Sequence, residues 1–467
     1  MTRITTLLAA CLTLIAAASQ AAEVLPSDGQ GMGCGLRLSG LLEEGDADRL
    51  GAELDRLAGQ RPPGSGREGY RLCLDSPGGS LIEATLMADL VAERGFGTAV
   101  PAGARCESAC AVLFMAGQHR PPETDVPFTP DRLLHPQGKL GFHAPSLTVP
   151  EANYTQAEVN RAYTIALASI AEVVQLRARR SLVWPDSLLL GILGTPPQSM
   201  TYVDTVGLAA RWQIEVAPVA LPSEDLPLAL SHACLNADGG MMDQAPQDSW
   251  YHGKALTFRF DGFGDDYAEL HSVEGFREEG AAPCAVYLQA SDSAIGPIGA
   301  VVMEGGSTAN PSWRGLYPYA LYDAARRIET LPEPTPDATV PFFSGLSDLA
   351  RQALGNVTFE SCWVASPEAK VVNVDAFVNL RAAAGFDGSV LREVPLGERL
   401  RVLGTQSLHM PGGGEACLTA CNALAMNPDD TEARASVDSC VSRNLLWYEV
   451  QDATGQVGFI SRKYLAD

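Results

Sequence analysis

The chain has 467 residues, 46% of them hydrophobic, with 33 basic against 56 acidic side chains and a formal net charge of −23. At a typical 100–200 residues per domain this length predicts about two to four domains, and the composition is that of a globular rather than a disordered chain. The net negative charge makes nucleic acid and anionic membrane surfaces poor partners, and the acidity otherwise reads as solubility.

Residues 1–21 read as a signal peptide. They carry a basic Arg3, an apolar run from Leu7 to Ala18, and Ser19-Gln-Ala21 as a small-x-small cleavage site. A membrane anchor needs about 20 apolar residues; this run is shorter, and no other segment qualifies. Leu8-Ala-Ala-Cys11 looks like a lipid-attachment box but lies too early, with half the apolar run beyond it. The mature chain is therefore expected to be periplasmic or secreted. Removing Cys11 leaves ten of eleven cysteines, and an even count in an oxidising compartment predicts disulfides. Cys34 and Cys73 lie on two predicted strands and can pair if those strands are neighbours. Cys106 and Cys110 flank a serine at about 6 Å on a helical turn, a bridge that needs a strained turn. Cys234 is matched with Cys284, and Cys362 with one of Cys417, Cys421 or Cys440. The alternatives are buried free thiols and a zinc site from Cys417, Cys421, Cys440 and His409.

The first domain is predicted over 22–221. Cys34 to Gly40 reads as a strand, followed by a helix from about Glu43 to Ala58 with Asp46 as N-cap. Residues 59–68 form a Pro/Gly loop. Arg71 to Asp75 is a strand that breaks at Ser76-Pro-Gly-Gly79, and an amphipathic helix runs from Leu81 to Arg94. Consecutive glycines after a strand let the backbone approach a substrate and aim amides at it. Gly97 to Pro101 is a strand; Arg105 to Gly117 then reads RCESACAVLFMAG, with Ser108 at the head of a buried helix. There the free amides and helix dipole favour developing negative charge. Residues 121–137 are proline-rich and predicted as an inserted loop. Leu140-Gly-Phe-His143-Ala-Pro145 is a short strand ending on a histidine. A long helix is expected from Thr155 to about Arg180. Strand and helix alternate as in an α/β domain.

Taken in order, Ser76-Pro-Gly-Gly79, Ser108, Gly117 and His143-Ala-Pro145 resemble the proteolytic subunit of the Clp protease and its crotonase-fold relatives, over roughly residues 34–215. The likeness is nearest to secreted Clp-like proteins, whose serine is framed as Cys-x-Ser-Ala-Cys. The resemblance implies a Clp/crotonase-like α/β fold with a closing helix over Thr201 to Leu208, Ser108 as nucleophile, His143 as base, and an oxyanion hole from the Gly79 and Ala109 amides. A serine hydroxyl needs such a base, and an imidazole titrates near the working pH. His119 and His135, in or beside the proline-rich loop, are the rival bases. The family's aspartate would fall near Thr195 to Ser199, where no carboxylate stands; Asp186 and Asp204 are nearby but do not align. That leaves a Ser-His dyad, another orienter such as Gln198, or an inactive site, since loss of the orienting carboxylate can cost about 10⁴ in turnover.

The second domain, 222–360, carries no recognised motif. Ala255 to Phe260 and Cys284 to Gln289 alternate as half-buried strands do, Trp313 to Arg327 reads as a helix, and Leu331 to Pro336 is a stiff linker-like run. The expectation is an α+β or β-rich accessory domain. The third domain, 370–467, has short strands at Val371–Leu380, Val390–Gly397, Leu400–Leu403, Trp447–Val450 and Gly458–Ser461. Val-Asn-Leu-Arg381, Val394-Pro-Leu-Gly397 and Trp447-Tyr-Glu-Val450 resemble a bacterial SH3-like β-barrel, interrupted by a Cys-bearing insertion at 405–446. Such domains often bind peptidoglycan or peptides. The chain is thus read as an exported, ATP-independent, Clp-like serine peptidase without cofactor or metal. It would act on a peptide or protein substrate and could assemble as a homo-oligomer. The alternative is a non-catalytic Clp-fold protein docking on cell wall or a protein partner through the SH3-like domain.

Overall fold

The computed structural model describes residues 22–27, 32–60, 70–119, 128–146, 152–222, 226–244, 259–263, 269–273, 284–288, 295–304, 311–334, 348–359, 361–411 and 415–466. The predicted signal peptide and most of the Ala255–Phe260 segment lie outside them. The chain is mixed α/β and divides into two compact units. One comprises residues 1–257, 273–286 and 291–342; the other comprises 258–272, 287–290 and 343–467. The 222–360 stretch is shared between them.

The first unit is built on a six-stranded sheet. Its strands are β1 (Glu23–Pro26), β2 (Cys34–Ser39), β3 (Arg71–Asp75), β4 (Gly97–Val100), β8 (Arg132–Leu134) and β11 (Glu215–Val216), in that order across the sheet. Only β1 is antiparallel to its neighbour; the other pairings are parallel. Buried parallel strands read as continuous apolar runs, and β4 is buried along its whole length. Helices α1 (Asp46–Ala58) and α2 (Leu81–Arg94) pack on one another. Ser80 caps α2 by accepting from the Glu83 N–H, and Gly95 ends it at φ 68°. Helix α1 begins differently from expectation. Gly45 is its N-cap, and Asp46 stands inside the first turn with its carboxylate accepting from the Glu43 N–H at 2.7 Å.

A second, three-stranded sheet joins β5 (Arg105–Glu107), β9 (Lys139–Phe142) and β10 (Thr201–Tyr202), with β9 in the middle. Helix α3 (Ala109–Phe114) follows β5 and is wholly buried. Two short strands, β6 (Gln118–His119) and β7 (Thr129–Pro130), pair next to it. The loop expected over 121–137 is corrected on its described part, because residues 132–134 form β8 inside the main sheet. The signal was hidden by Arg132, which is 1% exposed and donates to the Val183 carbonyl. Nearby, Asp131 forms a buried ion pair with Arg71 of β3 at 2.8 Å.

Helix α4 (Gln156–Arg179) starts in a capping box between Thr155 and Glu158, and only Val173 and Leu176 are buried along it. Its C-terminal end is tied to α2, since Arg179 and Arg180 both donate to Asp89. Helix α5 (Asp186–Gly194) follows. The closing helix starts later than expected: residues 201–202 are strand β10, and α6 (Val206–Arg211) begins after the Thr205 cap. Strand β11 comes next, then α7 (Leu226–Met242). The helix expected at Trp313–Arg327 is not formed. Strand β16 (Pro311–Gly315) pairs with β15 (Gly299–Glu304), and a 3₁₀ turn spans Pro318–Leu321. Pro318 lacks the N–H a helix interior requires there.

In the second unit, β12 (Arg259–Phe263) pairs with β13 (Glu269–Val273). A small sheet with antiparallel pairings packs around one core. It contains β17 (Glu368–Val371), β18 (Phe377–Arg381), β19 (Val390–Pro395), β20 (Arg399–Val402), β21 (Trp447–Gln451), β22 (Val457–Ser461) and β23 (Leu465–Ala466). Val371, Leu380, Val394, Tyr448, Val450 and Ile460 are fully buried within it. The 405–446 insertion contributes helices α9 (Glu415–Met426) and α10 (Thr431–Ser442).

All ten described cysteines are paired. The bridges are Cys34–Cys73, Cys106–Cys110, Cys234–Cys284, Cys362–Cys421 and Cys417–Cys440. The thiols considered for zinc are therefore disulfide sulfurs. Five disulfides accord with an exported protein. Among the described residues no helix is long and apolar enough to cross a membrane.

Candidate active site

Where β3 ends, the chain is stitched to β5. The Ser76 N–H donates to the Arg105 carbonyl at 2.7 Å, and the Glu107 N–H donates back to Ser76 O at 3.1 Å. Ser76 Oγ also accepts from the Gly78 N–H at 3.1 Å, which folds the turn back on itself. Gly78 and Gly79 then adopt φ of 95° and 137°, conformations that favour glycine. A Cβ on Gly78 would stand 2.8 Å from Ser108 Cβ and 3.0 Å from Ala109 N; one on Gly79 would stand 2.3 Å from Leu42 O. The two glycines therefore allow the SPGG turn to lie directly against the serine. The Gly78 carbonyl accepts from the Leu42 N–H, and the Ser80 N–H donates to Leu42 O, both at 2.8 Å. The Gly79 and Ala109 N–H groups make no hydrogen bond among the described residues.

Ser108 takes the N-cap position of α3 at φ 58° and ψ −124°, with its hydroxyl capping nothing. Its N–H donates to the Gly141 carbonyl at 3.0 Å. The nucleophile candidate is half-buried, as is His143. Strands β5 and β9 run parallel with Glu107 opposite Gly141. Ser108 is thus one residue past that pair and His143 two, at the same end of the two strands.

The His143 Nδ1–H donates to the Ala144 carbonyl at 2.7 Å. A carbonyl can only accept, so in the neutral ring this contact puts the proton on Nδ1 and leaves the Nε2 lone pair free. The Ala144 N–H in turn donates to Thr195 O at 2.8 Å, which brings the 195–199 segment to the histidine's backbone. Gln198 is exposed and hydrogen-bonds to no described residue. Asp186 is engaged by Arg177 at 2.8 Å, and Asp204 by Arg327. No hydrogen bond joins Ser108 Oγ to the His143 ring among the described residues. His119 lies on β6, beside β4 rather than β5. The rival His135 accepts at Nδ1 from the Gln137 N–H, and burial pushes its pKa down, with Glu333 opposing.

Two features had no reading in the sequence. One is Ser76 as the link between turn and strand, for which the serine before proline and glycine was the available signal. The other is Glu107, which accepts from the Tyr202 hydroxyl at 2.8 Å across Gly141. A Cβ on Gly141 would stand 2.9 Å from the Tyr202 ring, so its absence lets the ring lie over β9. Burial first, then the Glu107 hydrogen bond, holds the Tyr202 phenol above its ordinary pKa.

A cavity of about 290 Å³ lies at the other end of β9, lined by Lys139, Leu140, Tyr202, Asp204, Arg327 and Glu329 among others. None of Gly79, Ser108, Ala109 or His143 lines it. Among the described residues no cluster of three His, Cys, Asp or Glu side chains could hold a metal. A hydroxyl on a strained turn beside two unengaged amides, with an imidazole lone pair at the same strand end, supplies the parts of acyl transfer. No protein-family model matches this chain, and no curated protein matches it.

Proposed function

We propose that the first unit is an exported serine hydrolase of the Clp/crotonase type that cleaves peptide bonds without ATP. The observation that carries the reading is the turn at Ser108, positively twisted at φ 58° against Gly78, with the Gly79 and Ala109 amides unengaged beside it. In this mechanism Ser108 Oγ attacks the scissile carbonyl while His143 Nε2 takes its proton. The oxyanion forms against the two amides, each such donor contributing about 3 kcal/mol in the transition state. The imidazolium then protonates the leaving amine, and a water repeats the cycle on the acyl-enzyme. The Ala144 carbonyl replaces a carboxylate as orienter. It keeps the tautomer but stabilises the imidazolium less, so slow turnover is expected. A Ser-to-His hydrogen bond that is long before substrate binds and tightens afterwards is compatible with such a site. Ile82 and Leu86, 63% and 48% exposed on α2 just past Gly79, offer an apolar wall to a peptide.

The second unit's small sheet is read as the SH3-like domain, docking the hydrolase to peptidoglycan or peptides, and the whole as a homo-oligomer. The unformed Ser108–His143 hydrogen bond favours one competing reading, a non-catalytic Clp-fold binding protein. A fluorophosphonate probe separates them. Label on Ser108, lost in Ser108→Ala and reduced at least tenfold in His143→Ala, supports the hydrolase; a folded, unlabelled wild type supports the binder.

A further inference from the structure

Five disulfides hold the described chain, and four of them join residues 23 to 59 positions apart. Cys106 and Cys110 are separated by 4, with Ser108 midway between them. A crosslink restrains the unfolded chain less as its loop shortens, so this bridge adds least to global stability. Its location is local instead. Cys106 is the middle residue of β5 and Cys110 the second residue of α3, both fully buried. Their Cα atoms stand 5.1 Å apart across the turn.

The turn it spans is unlike any other in the described chain. Six non-glycine residues have positive φ, and four of them, Ser181, Gln213, Asp243 and Asn444, lie just past the ends of helices. Ser108 alone begins one, and its ψ of −124° lies far from the left-handed helical region. The helix it begins has six residues, too short to hold its own first turn. Upstream, Cys106 is fixed by the Ser76 stitches and by pairing with Leu140. Downstream, the bridge to Cys110 is a covalent crosslink from that strand to the helix, added to the backbone that runs through Ser108. Relaxing Ser108 into an ordinary helical N-cap would swing Oγ and the Ala109 N–H away from Gly79.

We propose that the Cys106–Cys110 disulfide is a positioning device for the nucleophile, fixing Ser108 and the Ala109 amide in reactive geometry rather than holding the fold. This rests on the hydrolase reading for its catalytic consequence. Reduction by a dithiol would give two thiols at the expense of a disulfide in the reductant, and would release the turn. Both sulfurs are buried, so substitution is the cleaner test.

The experiment compares Cys106→Ala/Cys110→Ala with Cys34→Ala/Cys73→Ala and wild type in full-length protein. It reads the melting temperature, fluorophosphonate labelling of Ser108 resolved into probe binding and bond formation, and amide hydrogen exchange at residues 108–111. The first pair is expected to melt closer to wild type than the second. It should form the Ser108 bond on the order of 100-fold more slowly, the penalty of about 1 Å of misplacement, with exchange at 108–111 accelerated. The second pair, where folded, should label and exchange there as wild type does. Wild-type labelling and exchange in the first pair would overturn the proposal. So would failure of that pair to fold, which would make the bridge a staple of the fold. If the wild type itself does not label, the hydrolase reading fails, and exchange at 108–111 still decides whether the bridge holds the turn.

Discussion

The Ser108 backbone stands in a region that costs a non-glycine residue about 1–3 kcal/mol, and its neighbours explain how it persists. The Ser108 N–H is bonded to Gly141, Ser76 ties β3 to β5, and Gly78 leaves room for the Ser108 Cβ. Gly78→Ala puts a methyl 2.7 Å from Glu107 O at a φ of 95°. The expected outcome is a loss of about 1–3 kcal/mol in denaturant unfolding, from overpacking and backbone strain, with Ser108 labelling down at least tenfold. Unchanged labelling would mean the turn does not need that close approach. Ser108, His143 and the two glycines were legible in sequence because each is a local signature: a strand breaking at SPGG, a serine before an apolar run, a histidine after a strand. A backbone carbonyl was among the partners expected at His143 Nδ1, but that it would be Ala144's was not legible, since a backbone acceptor leaves no mark in the residue types.

Among the elements, β8 and β16 escaped the sequence reading because neighbours decide them. Arg132-Leu-Leu134 is too short to announce itself as a central strand, and Trp313 lies in a strand fixed by its pairing with β15, where it stands opposite Val302. Next to β8, the ion pair of Arg71 with Asp131 has both side chains 3% exposed. Asp131→Asn leaves a buried guanidinium unpaired and is expected to cost about 3–5 kcal/mol, read by urea unfolding. At the surface, Asp89 joins α2 to α4. The Arg180 hydrogen bond, with Arg179 assisting against burial, holds its carboxyl below the ordinary range. A depressed pKa gives stability that is full above the unfolded value, about 3.9, and is lost as pH falls through the folded one. The gap in urea midpoint between wild type and Asp89→Asn should therefore be present at neutral pH and close below about pH 4. A gap independent of pH would assign the effect to packing instead.

At the level of the whole molecule, the mixed α/β character followed from alternation, and Cys34–Cys73, Cys234–Cys284 and Cys362–Cys421 fall within pairings expected from predicted strands and domain membership. The division of residues 222–360 between two units did not, because no composition shift marks it. The disulfides differ in what they can hold. In the chain-entropy view Cys34–Cys73, separated by 39, restrains the unfolded chain by about 4 kcal/mol and Cys106–Cys110, separated by 4, by about 2. Protein made in a reducing compartment is accordingly expected to be recovered unfolded or protease-sensitive, and limited proteolysis with and without a dithiol checks this. The proposed chemistry depends on Ser108 acting as a nucleophile that faces the Gly79 and Ala109 amides. The most direct measurement is a crystal structure with a peptidyl boronic acid. It should show boron bonded to Ser108 Oγ, one boronate oxygen about 3 Å from both amide nitrogens, and His143 Nε2 within hydrogen-bond reach of a boronate oxygen. A site soaked to saturation with no bond at Ser108, or an adduct whose oxygen points away from both amides, would contradict it.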